Sequence, residues 1–134
     1  MKKVRVIIEA APNNYAAYIE GIDGIGVTGE TIDIIKERIR SGIDFLIECC
    51  QEDGCEIPEP LQGKYELEYH IDVKTFLSVY SGIFTKSGLE RLTGVNQKQL
   101  WHYANGTIKP RKKQRERIER AVHRLGYDLV AFTL

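Results

Sequence analysis

The chain has 134 residues, 43% hydrophobic and 28% charged, a length and composition for one ordinary domain or two small ones and not for a disordered chain. No apolar run approaches the roughly 20 residues of a membrane-spanning helix. The zero net charge hides a segregation: residues 1–75 carry 8 Lys+Arg and 15 Asp+Glu, a net of −7, and residues 76–134 carry 11 and 4, a net of +7.

The N-terminus, Met1-Lys2-Lys3-Val4-Arg5, is basic, but the apolar stretch after it soon reaches Pro12 and is too short for a secretory signal. A cytoplasmic location is expected. Val4, Val6 and Ile8 alternate with Arg5, Ile7 and Glu9 and predict a strand. Pro12-Asn13-Asn14 marks a turn, so Tyr15–Glu20 completes a hairpin, and Ile25–Gly29 gives a short third strand. Thr31 is placed to cap a helix that runs to about Glu52. Ile32, Ile35, Ile39, Ile43, Leu46, Ile47 and Cys50 form its apolar stripe, which is expected to cover one face of a small antiparallel sheet. Cys49, Cys50 and Cys55 are odd in number and match no zinc framework, so reduced thiols are expected and no metal. Asp53-Gly54 ends the helix, a proline-containing loop follows, and Lys64–Ile71 alternates as a fourth strand.

A second part begins near Asp72. Val73, Phe76, Leu77 and Tyr80 have helical spacing, Thr85 can cap a helix through Leu92, and Asn96 can cap another through Ala104. Lys112–Leu125 gives a last helix with Ile118, Ala121, Val122 and Leu125 on one stripe. Gly126 is expected as its stop, and Asp128–Thr133 as an edge strand or a dimer contact. The expected class is α+β: a small β-β-β-α-β domain over residues 1–71, then an all-α domain over 72–134.

The stretch around Gly94 has the makings of a helix-turn-helix. Gly94 tolerates the left-handed backbone of a tight turn, Leu92 and Val95 can fill the space between two helices, and Leu100 and Tyr103 point inward. That leaves a polar outer face. Gln can bond adenine with both ends of its amide, and Lys donates to guanine O6 and N7. Gln97, Lys98, Gln99 and His102 are the candidates for base contact, Gln99 lying nearer the groove wall together with Trp101. Thr85, Lys86, Trp101, Asn105, Thr107, Lys109, Arg111 and Lys112 are the candidates for the DNA backbone, since phosphate contacts gather at helix starts and turns. Trp101 reads equally well as a core residue, His102 could be plainly exposed, and the run beyond Arg115 reads as a solvated helix face with Glu116 and Glu119 pairing nearby arginines.

From about Phe84 to Leu125 the chain resembles the lambda-repressor-like helix-turn-helix family, through Thr85, Leu89, Thr93-Gly94-Val95, Gln97, Leu100, Asn105-Gly106, Pro110 and Ile118–Leu125. Glu90 departs from that pattern, standing where the family usually has a small residue. Roughly residues 4–60 resemble the HicB antitoxins, through Val6-Ile7-Ile8-Glu9, Tyr15-Ala16-Ala17-Tyr18-Ile19, Gly29-Glu30-Thr31, and Glu52-Asp53-Gly54 with Ile57-Pro58-Glu59-Pro60. The turn Asp23-Gly24-Ile25 replaces the usual Pro-Gly-Cys. The resemblance implies a partial RNase H-like front domain without nuclease chemistry, a HicA-like mRNA-cleaving toxin as partner, operator DNA as a second ligand, and repression of its own operon. The alternative is a stand-alone transcription regulator with no toxin.

An enzyme is not expected. Glu9, Glu20 and Asp23 are scattered without a metal-binding motif, no catalytic residues stand out, and no cofactor is implied. A single motif of this size covers little DNA, so a homodimer or higher homo-oligomer is expected, joined by the tail Asp128–Leu134 or by the front sheets.

Overall fold

In the computed structural model, which describes residues 1–134, the alternating N-terminal run forms strand β1 (Lys2–Ala10), with Val4, Val6 and Ile8 buried on one face. Strand β2 (Tyr15–Ile19) pairs with it antiparallel, setting Val6 opposite Ile19 and Ile8 opposite Ala17. Strand β3 (Gly26–Gly29) pairs antiparallel with β2. The chain then leaves that edge and crosses the sheet as helix α1 (Ile32–Asp53). It enters the opposite edge as β4 (Tyr65–Ile71), giving the order β3-β2-β1-β4.

The sheet is mixed, not antiparallel as expected, because β4 runs parallel to β1 with Val4 beside Leu67 and Val6 beside Tyr69. A hairpin forces antiparallel neighbours, whereas a helical crossover returns the chain to the end from which it started. Alternation within a strand carries no information about that direction.

Helix α1 starts where Thr31 Oγ1 accepts the Ile34 N–H at 3.2 Å, with Asp33 in the positive first turn. It stops at Gly54, whose φ of 71° is left-handed. Ile35, Ile39 and Ile43 are at most 2% exposed and pack with Val4, Val6, Ile8, Ala17 and Ile19. Cutting any of these isoleucines to alanine costs about 2–5 kcal/mol.

The chain divides into two compact units, Met1–Asp72 and Val73–Leu134. The second is all helix: α2 (Val73–Val79), α3 (Lys86–Thr93), α4 (Gln97–Asn105) and α5 (Lys112–Ala131). Its core joins Leu77, Leu89, Val95, Leu100, Tyr103 and Ile118, flanked by Phe76, Phe84, Leu92 and Val122. No helix in the chain is long and apolar enough to cross a membrane.

The C-terminus differs from the expected stop and strand. Gly126 lies inside α5, which continues to Ala131, and its φ is not left-handed. A glycine in a helix costs only about 1 kcal/mol, and a lone β-prone segment has no neighbouring strand to bond, while a helix satisfies its own backbone. The continuation leaves Tyr127, Leu129, Val130 and Phe132 largely exposed.

Candidate nucleic-acid interface

The candidate site is built from α3, the turn at Gly94, α4 and the start of α5. Thr85 Oγ1 accepts the Gly88 N–H at 3.0 Å and so caps α3. At the other end Gly94 takes a left-handed φ of 76° and its N–H donates to the Glu90 carbonyl at 2.7 Å. Thr93 is buried at the corner, yet both of its hydrogen-bonding roles are used. Its hydroxyl donates to the Leu89 carbonyl at 2.7 Å and accepts the Val95 N–H at 3.1 Å. A buried hydroxyl satisfied on both sides holds the turn in one geometry. Val95 then enters the core at 2% exposure.

Asn96 Oδ1 accepts the Lys98 N–H at 2.8 Å and starts α4. Leu100 and Tyr103 are buried from its inner side. The outer side presents Gln97, Lys98 and Trp101 to solvent, with Gln99 and His102 half-buried. Helix α4 ends at the left-handed Gly106, where Asn105 Oδ1 accepts the Thr107 N–H at 2.9 Å and also the Thr107 hydroxyl. Pro110 and Arg111 lead into α5.

Several expected contact residues already have partners. Gln97 Nε2 donates to the Glu90 carboxylate at 2.9 Å, so this pair spans the turn from α3 to α4. Gln99 Nε2 donates to the Tyr103 hydroxyl at 2.9 Å, one helical turn on. Thr85 and Asn105 are engaged in capping and in the turn. Lys86, Lys98, Thr107, Lys109, Arg111 and Lys112 are exposed.

Trp101 is 54% exposed and lies on the surface, not in the core. Its ring meets that of His102 edge-on, with centroids 5.1 Å apart. His102 is not plainly exposed, since its Nδ1 is buried with no hydrogen-bond partner. Glu116 and Glu119 form no ion pair with the neighbouring arginines; exposed pairs on long side chains gain little over solvation.

Two cations were missed in the sequence. The Arg117 guanidinium lies over the turn, so that a Cβ added at Gly94 would sit 2.5 Å from its Nη2. The Lys74 ammonium lies over Gly106, 3.2 Å from the corresponding position. Arg117 could have been found as the residue beside the buried Ile118, but nothing near Lys74 in sequence points to Gly106. With them, Val73–Leu134 carries 12 Lys+Arg and 4 Asp+Glu, a net of +8, and Met1–Asp72 carries 7 and 15, a net of −8.

No group of three His, Cys, Asp or Glu side chains is placed to hold a metal ion. The thiols of Cys50 and Cys49 are both held above their ordinary range. The first is raised chiefly by its hydrogen bond with Cys55 and then by burial, the second by desolvation and then by Asp53, Glu52 and Glu48. No family model matches the chain, and no curated protein or solved structure matches it either.

Proposed function

We propose that the chain is a HicB-like antitoxin of a type II toxin–antitoxin pair. Its basic unit binds operator DNA through a lambda-repressor-like helix-turn-helix and represses its own operon, and its acidic unit neutralises a HicA-like mRNA-cleaving toxin. The observation that carries the DNA reading is the pair α3 and α4, joined at a left-handed Gly94. It leaves the polar N-terminal end of α4, with Gln97 and Lys98, exposed on a unit of net charge +8. A helix N-terminus with such side chains suits the major groove, and the surrounding cations suit phosphates.

For the front unit, the order β3-β2-β1-β4 with β4 parallel to β1 is in keeping with a partial RNase H-like domain. Its net charge of −8 suits a basic partner. A two-fold operator calls for a homodimer, and the bare apolar end of α5 is the contact that best serves it.

Two linked assays test this reading. In a mobility-shift competition, the full chain should prefer duplex DNA from upstream of its own gene over a shuffled duplex, with affinity falling steeply with salt. Co-expression with a small basic open reading frame beside the gene should rescue growth and yield a complex. DNA binding without toxicity or complex would leave the stand-alone regulator. Equal affinity for both duplexes would remove sequence-specific binding altogether.

A further inference from the structure

The two edges of the sheet are built differently. β3, at one edge, is four residues long and bounded by Gly26 and Gly29. Short, glycine-bounded edges offer little for another strand to pair with. β4, at the other edge, keeps an unbroken seven-residue register with β1 from Tyr65 to Ile71. Within Tyr-Glu-Leu-Glu-Tyr-His-Ile there is no proline, no lysine and no bulge, and the charge of Glu66 and Glu68 is what guards this edge against strands other than basic ones. Its outer row of backbone N–H and C=O groups has no neighbouring strand.

The side chains beside that row are only partly covered, the Lys36 ammonium lying 5.0 Å from the centroid of the Tyr69 ring. On the α1 side, Tyr65, Leu67 and Tyr69 line a groove with Arg40, Ile43 and Asp44. The Tyr69 hydroxyl is buried there with no hydrogen-bond partner. On the other face Glu66 and Glu68 are exposed. Arg5, the cross-strand neighbour of Glu68, instead contacts His70 Nδ1 at 3.0 Å and Glu20 at 3.5 Å. The Glu68 carboxylate is left without an ion pair.

We infer that the outer edge of β4 is the docking site for an extended segment of a basic protein, added to the sheet as a fifth strand. Its apolar residues cover Tyr65, Leu67 and Tyr69, and its alternating basic residues stand beside Glu66 and Glu68. The inference rests on the reading of the acidic unit as the partner-binding one. Charge weighs against a second copy in the registers that overlap the glutamates, whereas a basic strand meets them favourably in every register. Antiparallel self-pairing centred on Glu68 sets that carboxylate against its own copy, and a register centred on Leu67 sets Glu66 against Glu68. Like charges directly opposite destabilise a pair of strands.

The test uses the full chain and a capped seven-residue peptide alternating Lys and Val. Titration followed by amide NMR should show saturable binding, with slowed hydrogen exchange confined to residues 65–71. Blocking the pairing edge of the peptide by N-methylation should weaken binding by roughly tenfold or more, since each lost main-chain bond is modest alone and several are lost together. The double variant Glu66→Lys/Glu68→Lys should reject this peptide and accept one alternating Glu and Val. Glu66→Gln/Glu68→Gln should fall between. No binding at millimolar peptide, no effect of N-methylation, or an unchanged preference in the Lys variant would each overturn the docking site. Protection of residues 65–71 that rises with protein concentration alone would make a second copy the occupant and overturn it too. The outcome is separable from the toxin reading. A toxin complex without peptide binding moves the contact elsewhere on the unit, and peptide binding without any toxin keeps the edge and removes the toxin.

Discussion

The same substitution, Gly→Ala, should have opposite signs at Gly94 and Gly126. At Gly94 the φ of 76° forces an alanine into the left-handed region, which costs roughly 1–2 kcal/mol. Loss of glycine entropy in the unfolded chain returns about 0.4–1 kcal/mol. The added Cβ would lie 2.5 Å from Arg117 Nη2, but this is the free end of a flexible side chain and can swing away. The net loss is about 1 kcal/mol. At Gly126 the backbone is helical and nothing lies within 4 Å of an added Cβ. There the change should strengthen α5 locally by about 0.5–1 kcal/mol. Urea unfolding followed by the fluorescence of Trp101, the single tryptophan and a residue of α4, reports the helical unit. With slopes of roughly 1–2 kcal/mol/M, Gly94→Ala should lower the midpoint by about 0.5–1 M. Gly126→Ala should leave or raise the midpoint and deepen the far-ultraviolet helical signal. An unaffected Gly94→Ala would refute the left-handed turn. A Gly126→Ala that loses about 1 kcal/mol would refute the continuous helix and restore Gly126 as its stop.

Gln97→Ala should relax base preference at one operator position, at a cost of about 1–3 kcal/mol, as read by competition against single-base variants; equal affinity for operator and random DNA before and after would mean that α4 does not read bases. Lys109→Ala should weaken all duplexes alike and reduce the salt slope by about one ion, and a change confined to one sequence would contradict a phosphate contact. Alkylation near pH 8 followed by mass spectrometry should modify the exposed Cys55 first. Cys49 and Cys50, whose thiols are held up, should lag and catch up only as the pH rises beyond the ordinary thiol range; modification of Cys50 first would contradict its burial. Deleting residues 128–134 should convert a homodimer to monomer by light scattering, and an unaltered dimer would move the contact away from the end of α5.

What was legible in the sequence was local. Thr31, Thr85 and Asn96 cap helices because each carries a short side-chain acceptor just before an apolar-periodic run, and all three bonds form. Gly54, Gly94 and Gly106 take positive φ at the helix ends where the pattern breaks. What was not legible depended on partners distant in sequence. The parallel direction of β4 follows from the crossover of α1, not from any residue in β4. Gly126 carries the same letter as the stops, but no turn or core contact there requires a left-handed residue, so the helix passes through it. For the candidate site, the exposure of Gln97 and Lys98 followed from helical periodicity. The placement of Trp101 did not, because a tryptophan next to the inward-facing Leu100 fits either side of a helix boundary between core and surface.

The contact between Glu90 and Gln97 changes how the candidate reading head works. A glutamine amide has two faces, an acceptor oxygen and a donor nitrogen, and a free one can turn either way. Glu90 offers only an acceptor to Gln97, so the turned-over amide would set oxygen against carboxylate. The bond at 2.9 Å therefore fixes which end of the amide faces α3. It uses one of the two Nε2 hydrogens and leaves the other, together with Oε1, for a ligand. Adenine needs one donor and one acceptor of that kind at N7 and N6, whereas guanine presents only acceptors, N7 and O6, on the same edge. A glutamine held in one orientation pays less ordering entropy on contact with adenine than a free one. In the proposed reading, Glu90 sharpens the preference of Gln97 without touching DNA itself. The larger residue at position 90 is then a feature of how the bases are read, and not a defect in how two helices pack.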